Sequence, residues 1–204
     1  MQIITCTTGA LAENCYIIAD GDIACIIDPG DDAEDIIDII KEKDLNVKYI
    51  LLTHGHFDHI GAVSAVREFT GASVCIHKDD DFMLTDSMKN LSAYMGESCS
   101  MKGADVLLRD GSIVEFGTKK IKVVHTPGHT PGGVCYIVDD VMFSGDTLFF
   151  MSIGRSDFPY SDPHALDVSL NVVIKNIAGD LTVYPGHGEA TSLEFEKQNN
   201  PYMR

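Results

Sequence analysis

Basic residues are scarce: 15 lysines and arginines stand against 31 aspartates and glutamates, a formal net charge of -16. No Lys/Arg cluster interrupts that balance, so a phosphate backbone would be repelled and a nucleic-acid role is disfavoured. No uninterrupted apolar run is long enough to cross a bilayer, and the N-terminus, MQIITC, has no secretory signal pattern. The chain is therefore expected in the cytoplasm, without a membrane partner. None of the six cysteines forms a C-x-x-C pair, and most sit in apolar runs such as NCYII and ACIID. They read as small, reduced, buried hydrophobes, and no structural disulfide is expected. Prolines number only 7, no fixed-period repeat occurs and no low-complexity linker divides the 204 residues. That leaves one globular domain, residues 1–204, able to bury a core unaided.

Extended runs at Gln2 to Thr7, Asn14 to Ala19 and Ile23 to Asp28, separated by signals such as Asp20-Gly21-Asp22, predict a β-meander. From Asp32 to Lys43, Ile36, Ile37 and Ile40 recur at helical spacing behind an acidic first turn and before Lys41 and Lys43. A strand at Lys48 to Leu52, a His-rich loop and a helix from about Ile60 to Phe69 follow. Further strands are expected at Ser73 to His77, Ile113 to Phe116, Lys119 to His125, Val134 to Val138, Val141 to Ser144 and Leu181 to Tyr184. Helices are expected between Asp79 and Tyr94, from Pro163 to Ile177 and in the polar tail. Strands in two groups, each closed by helices, predict two packed sheets flanked by helices, although other α/β arrangements fit the pattern as well.

His54-Gly55-His56-Phe57-Asp58-His59 places three imidazoles and a carboxylate in six residues directly after an apolar strand. In an extended segment His54 and His56 project the same way, while Asp58 and His59 point elsewhere and suit a second ion. One loop cannot enclose a metal alone, and a catalytic site leaves a coordination position open for water. Three later residues, His129, Asp146 and His187, each follow an apolar strand and sit beside glycine on a strand-end loop. His77, His125 and His164 lack that setting and read as structural, with His125 a candidate support for a ligand.

Together, T-H-G-H-F-D-H-I-G, T-P-G-H-T-P-G, S-G-D-T-L and P-G-H-G resemble the signature of the metallo-β-lactamase superfamily, over about residues 14 to 188. The resemblance implies an αββα sandwich of two packed mixed β-sheets flanked by helices. It implies that His54, His56 and His129 bind one metal and Asp58, His59 and His187 a second, that Asp146 bridges them, and that Asp28 in IIDPG supports the ligands. Two divalent ions are expected, zinc first, with iron and manganese also served by these donors. Asp146 stands where the best-known zinc β-lactamases carry cysteine, which lowers lactam hydrolysis, and His56 stands where flavin-linked diiron relatives carry Glu. NCYII, GRSDF, PGHGEAT and the NPY tail are similar to the glyoxalase II-like branch, whose members hydrolyse S-acylglutathione thioesters. Hydroxyacylglutathione hydrolases with an added C-terminal helical region extend beyond Arg204, so the likeness is to the short, single-domain bacterial type.

These expectations amount to a metallo-hydrolase that attacks a small-molecule thioester with a metal-bridging hydroxide, Asp58 and Asp146 being the catalytic carboxylates. A thiolate leaving group of pKa about 8.5 needs little help from an acid. Arg155 and Tyr160 either shape the substrate pocket or, for Arg155, close a salt bridge. The alternatives are a mononuclear iron persulfide dioxygenase using the equivalents of His54, His129 and Asp146, and a non-enzymatic metal-binding interaction module.

Overall fold

The computed structural model describes residues 1–96 and 98–203. Strands β1 (Gln2–Thr8), β2 (Glu13–Asp20) and β3 (Ile23–Ile27) form the antiparallel meander. The chain then crosses through α1 (Ala33–Glu42) to β4 (Asn46–Leu51), and through α2 (Phe57–Ile60) and α3 (Val63–Thr70) to β5 (Ser73–His77), pairing in parallel each time. Helix α4 (Asp81–Leu84) and a 3-10 turn at Ser92–Met95 precede β6 (Val106–Leu108), which completes a mixed sheet in order β1-β2-β3-β4-β5-β6.

A second antiparallel run comprises β7 (Ile113–Phe116), β8 (Lys119–His125), β9 (Val134–Val138) and β10 (Val141–Gly145). Next come a small hairpin of β11 (Leu148–Phe149) and β12 (Ser152–Ile153), helix α5 (Pro163–Val168), β13 (Thr182–Pro185), β14 (Thr191–Ser192) and α6 (Leu193–Asn199). Because β13 pairs with β10 in parallel, the second sheet is also mixed, in order β14-β13-β10-β9-β8-β7.

Strand alternation builds the layers. Ile17, Ile26 and Ile50 face Ile36 and Ile40 of α1 and Val63 and Val66 of α3, while their neighbours Ile18, Ile27 and Leu51 turn inward against Ile121, Val123, Tyr136 and Phe143 of the second sheet. On the far side, Val124, Cys135 and Met142 pack against Leu166 of α5 and Leu193 of α6. Both faces of the central strands are buried, so they read as continuous apolar runs. The result is the expected αββα sandwich. The cysteines form no disulfide, and among the described residues no helix is long and apolar enough to cross a membrane.

Two helices differ from their sequence pattern. The expected helix from Ile60 to Phe69 is two pieces, broken at Gly61 and Ala62; a Cβ on Gly61 would meet the carbonyl oxygen of Gly30, so the close approach of β3's exit loop sets the break. The expected helix from Pro163 to Ile177 is α-helical only to Val168 and widens into a π-helical turn over Ser169–Val173 and a 3-10 turn over Ile174–Asn176. Consecutive β-branched Val172, Val173 and Ile174 weaken regular helix there, and the wider turn still presents Leu166, Leu170 and Ile174 to the sheet. Strands β6, β11, β12 and β14 are two or three residues long, too short to show a period.

Ile26 is fully buried between the first sheet and its helices. Ile26→Ala is expected to cost about 2–5 kcal/mol of stability, read as a lower urea midpoint at unchanged m-value; a cost below about 1 kcal/mol would contradict this packing.

Candidate metal centre

All seven sequence-predicted residues lie at one edge of the sandwich. His54 follows β4, His129 lies in the loop after β8, Asp146 follows β10 and His187 follows β13. That edge is stitched between sheets: Tyr136 Oη donates to Leu52 O at 2.7 Å, Val134 N to Thr53 O at 2.9 Å and Tyr16 Oη to Pro185 O at 2.6 Å. Asp58 and His59 are not loop residues as expected but lie in α2, whose helical backbone turns them away from the extended His54-Gly55-His56 segment.

The side chains divide into two groups, His54, His56 and His129 in one and Asp58, His59 and His187 in the other; within each, one ligand-type atom per residue lies within 4.8 Å of the others. Asp146 stands between them: Oδ2 is 3.5 Å from His129 Nε2, and Oδ1 is 3.3 Å from His59 Nε2 and 3.8 Å from His187 Nε2. Asp58 Oδ2 is 3.3 Å from His187 Nε2. Gly186 permits this closeness, since a Cβ there would meet Asp146 Oδ1 and His59 Cε1.

Four imidazoles have Nδ1 held from outside. His59 Nδ1 donates to Asp28 Oδ2 at 3.0 Å, His129 Nδ1 to Arg155 O at 2.7 Å, His187 Nδ1 to Leu11 O at 3.2 Å and His54 Nδ1 to Thr53 Oγ1 at 3.1 Å. Each tether assigns the proton to Nδ1 and leaves the Nε2 lone pair facing the centre. His56 is the exception and presents Nδ1, 2.9 Å from His129 Nε2. Asp28 is the hub: Oδ1 accepts from Thr53 N at 2.7 Å, and Oδ2 from Thr53 Oγ1 at 2.5 Å as well as from His59. Its backbone holds φ 48, a costly conformation for a non-glycine residue that this network over-determines.

Asp80, which sequence reasoning missed, locks the two loops of the first group. Its buried carboxylate accepts from Gly55 N at 3.2 Å, Thr130 Oγ1 at 2.7 Å and Gly132 N at 2.6 Å. Only the acidic run Asp79-Asp80-Asp81 could have hinted at it. Buried Glu13 was missed too; Thr8 Oγ1 donates to its Oε2 at 2.9 Å, while Oε1 lies 3.7 Å from His59 Nδ1. His125 supports the His129 loop rather than a ligand ring, donating from Nε2 to Pro131 O at 2.9 Å, and its ring stacks on His77 at 4.1 Å. His164 is exposed. Tyr160 packs edge-on against Phe82.

Burial, reinforced by neighbouring imidazoles, drives His54 well below its ordinary pKa and His56 down to about 3, keeping both neutral and competent as ligands. Burial acts the same way on His59 and His187 but is outweighed by carboxylates, chiefly Asp146 and Asp58, so both are raised. Asp146 is lowered, the pull of His59 exceeding the cost of its burial. The decisive feature is what these groups lack. His54 Nε2, His59 Nε2 and Asp146 Oδ1 are buried there without a hydrogen-bond partner, as are Glu13 Oε1 and His56 Nε2, the nitrogen opposite the one that His56 presents to the centre. Each such atom costs about 1–3 kcal/mol if left so. A set of imidazole lone pairs and carboxylate oxygens, with only imidazoles as ion-pair partners among the described residues, is completed by divalent cations. The donor set therefore fits a binuclear metal site.

Comparison with known proteins agrees. Residues 8–193 match the family model described as the metallo-beta-lactamase superfamily. The chain belongs to this superfamily. Among superfamily members, hydroxyacylglutathione hydrolase GloC of Haemophilus influenzae is 35% identical over 212 residues, spanning 100% of this chain and 97% of the relative. BLEG-1 B3 metallo-beta-lactamase superposes with a TM-score of 0.94 at 38% identity, covering 99% of both chains. TTHA1623, solved in a di-iron-bound form, superposes with a TM-score of 0.87 at 36% identity, covering 98% of this chain and 100% of that one.

Asp28→Ala removes the hub and leaves all seven sequence-predicted ligand side chains in place. It is expected to weaken metal retention about ten- to a hundredfold, measured by competition with a chromogenic chelator, with far-UV circular dichroism unchanged; wild-type retention would refute the tethering role.

Proposed function

We propose that the chain is a single-domain binuclear metallo-hydrolase of thioesters. His54, His56 and His129 would hold one ion and Asp58, His59 and His187 the other, with Asp146 between the two groups. The observation that carries this reading is the convergence of two three-residue ligand groups on either side of one carboxylate, with His54 Nε2, His59 Nε2 and Asp146 Oδ1 buried between them without partners.

Two divalent ions held there would supply a water of pKa lowered towards about 7 and a Lewis acid for the substrate carbonyl. The protein's part is positional. The Nδ1 tethers fix four imidazoles before substrate arrives, which removes their reorganisation from the reaction. Asp58, with Oδ2 turned to His187, orients the attacking water. Hydrolysis adds water across the acyl C–S bond, giving a carboxylic acid and a thiol. Because a thiol of pKa about 8.5 leaves readily as thiolate, no acid need be placed on the leaving-group side. The likeness to hydroxyacylglutathione hydrolase GloC across the full chain supports the thioester class. The ion is zinc in this reading, with iron the strongest competitor given the di-iron form of TTHA1623.

A second reading, lactam hydrolysis, is favoured by the 0.94 TM-score with BLEG-1 B3 metallo-beta-lactamase, which offsets the argument drawn from Asp146 standing in place of cysteine. The persulfide dioxygenase reading needs only His54, His129 and Asp146 and leaves His56, Asp58, His59 and His187 without a role. A non-enzymatic module would have no need of all seven side chains.

Protein purified without added metal is expected to carry about two equivalents by elemental analysis and to release free thiol from an acyl thioester faster than it opens a chromogenic lactam. His54→Ala and Asp146→Ala should each lower thioesterase kcat/KM more than about a hundredfold with the fold retained. One equivalent of iron with oxygen uptake on a persulfide, or lactam turnover exceeding thioester turnover, would overturn the proposal.

A further inference from the structure

A cavity of about 490 Å³ opens directly onto His56, Asp58, His129 and Asp146. Away from those side chains its wall is Leu11, Leu91, Tyr94, Met95, Phe158 and Pro159. Among its described lining residues the one cation is Arg155, and that charge is already engaged. Nε and Nη2 donate to the two carboxylate oxygens of Asp157 at 2.9 Å each, and the guanidinium lies 4.3 Å from the centre of the Phe158 ring. Glutathione, with two carboxylates and an ammonium, would meet only this one cation, already paired with Asp157, so most of its charge would lose water here without gaining an ionic partner. A lactoyl group is too small to fill the space and carries a hydroxyl that this wall leaves unbonded.

The wall is also built to hold its shape. Asn90 is fully buried; its side chain donates to Met83 O at 3.1 Å and Cys99 O at 2.7 Å and accepts from Ser92 N at 3.0 Å, while its carbonyl accepts from Phe57 N at 3.0 Å at the start of α2. The segment carrying Leu91, Tyr94 and Met95 is thereby fastened to the helix that carries Asp58 and His59. Leu91 itself sits at φ 74, a conformation unfavourable for a branched side chain and held by this anchoring. Large apolar side chains stand open to solvent on it, Tyr94 at 64% and Met95 at 58% exposure, which in an apolar pocket beside reactive groups marks a binding wall.

We infer that this cavity binds an apolar acyl chain, so that the preferred substrate is a thioester of a medium-length aliphatic or aromatic acid and not of a short hydroxy acid. The inference rests on the thioester reading proposed above, and Tyr94 and Met95 set the specificity.

The test is a series of acetyl, butyryl, hexanoyl and lactoyl thioesters of N-acetylcysteamine, a neutral thiol, offered to metal-loaded protein with free-thiol release as the readout. Burial of each added methylene should raise kcat/KM about three- to fourfold, on the order of a hundredfold from acetyl to hexanoyl, with lactoyl near acetyl. Met95→Lys, a change at an exposed position, should flatten the series by lowering the hexanoyl rate at least tenfold while metal content stays at the wild-type value. A flat series, a preference for lactoyl, or a hexanoyl preference untouched by Met95→Lys overturns this inference while leaving thioester hydrolysis standing. Absence of turnover on every thioester overturns the thioester reading and this inference with it.

Discussion

Everything in this molecule is arranged around a cost that the polypeptide alone does not offset: imidazole nitrogens and a carboxylate oxygen buried at one edge of the sandwich without partners. Protein interiors keep such atoms few, and each calls for an explanation. Their position is not an accident of packing, because the rings of His54 and His59, whose Nε2 atoms are unpartnered, have the opposite nitrogen held from outside, as do those of His129 and His187. Asp28, Thr53 and the carbonyls of Arg155 and Leu11 take the Nδ1 protons, and the remaining lone pairs have nowhere to point but inward. The outer hydrogen bonds thus choose the tautomer, and the tautomer chooses the ligand.

The fold makes that arrangement affordable. In the second sheet β8, β10 and β13 run in the same direction, as do β3, β4 and β5 in the first, so the loops that leave them gather at a common edge. Apolar faces of both sheets and their covering helices hold the strands rigid, and inter-sheet bonds from Tyr16, Tyr136 and Val134 close the edge itself. Asp80 then ties the His54 loop to the His129 loop through three bonds. Burial pushes its pKa up to about 6, a penalty borne for position.

The strands and the seven candidate ligands were legible because each ligand carries its own local mark, an apolar strand followed by a glycine-bearing loop. The meander, the first helix and the main strands emerge within a residue or two for the same reason: periodicity is a local property. What could not be read is what depends on distant backbone. The acceptors for His129 and His187 are the carbonyls of Arg155 and Leu11, which any residue would supply. That Asp58 and His59 point away from His54 and His56 is readable from the sequence, but its cause, a helix that begins between them at Phe57, has no strong signal. Arg155, which the sequence allows as pocket former or salt-bridge partner, takes both positions.

Membership of the superfamily explains the framework. The most direct measurement of the central claim is anomalous diffraction from crystals of the protein, collected at the absorption edge of the metal it carries. The account predicts two peaks. One lies about 2.0–2.2 Å from His54 Nε2, His56 Nδ1 and His129 Nε2, the other the same distance from Asp58, His59 Nε2 and His187 Nε2, with a carboxylate oxygen of Asp146 near each. A single peak, or ions bound elsewhere with these lone pairs turned to other partners, would contradict it.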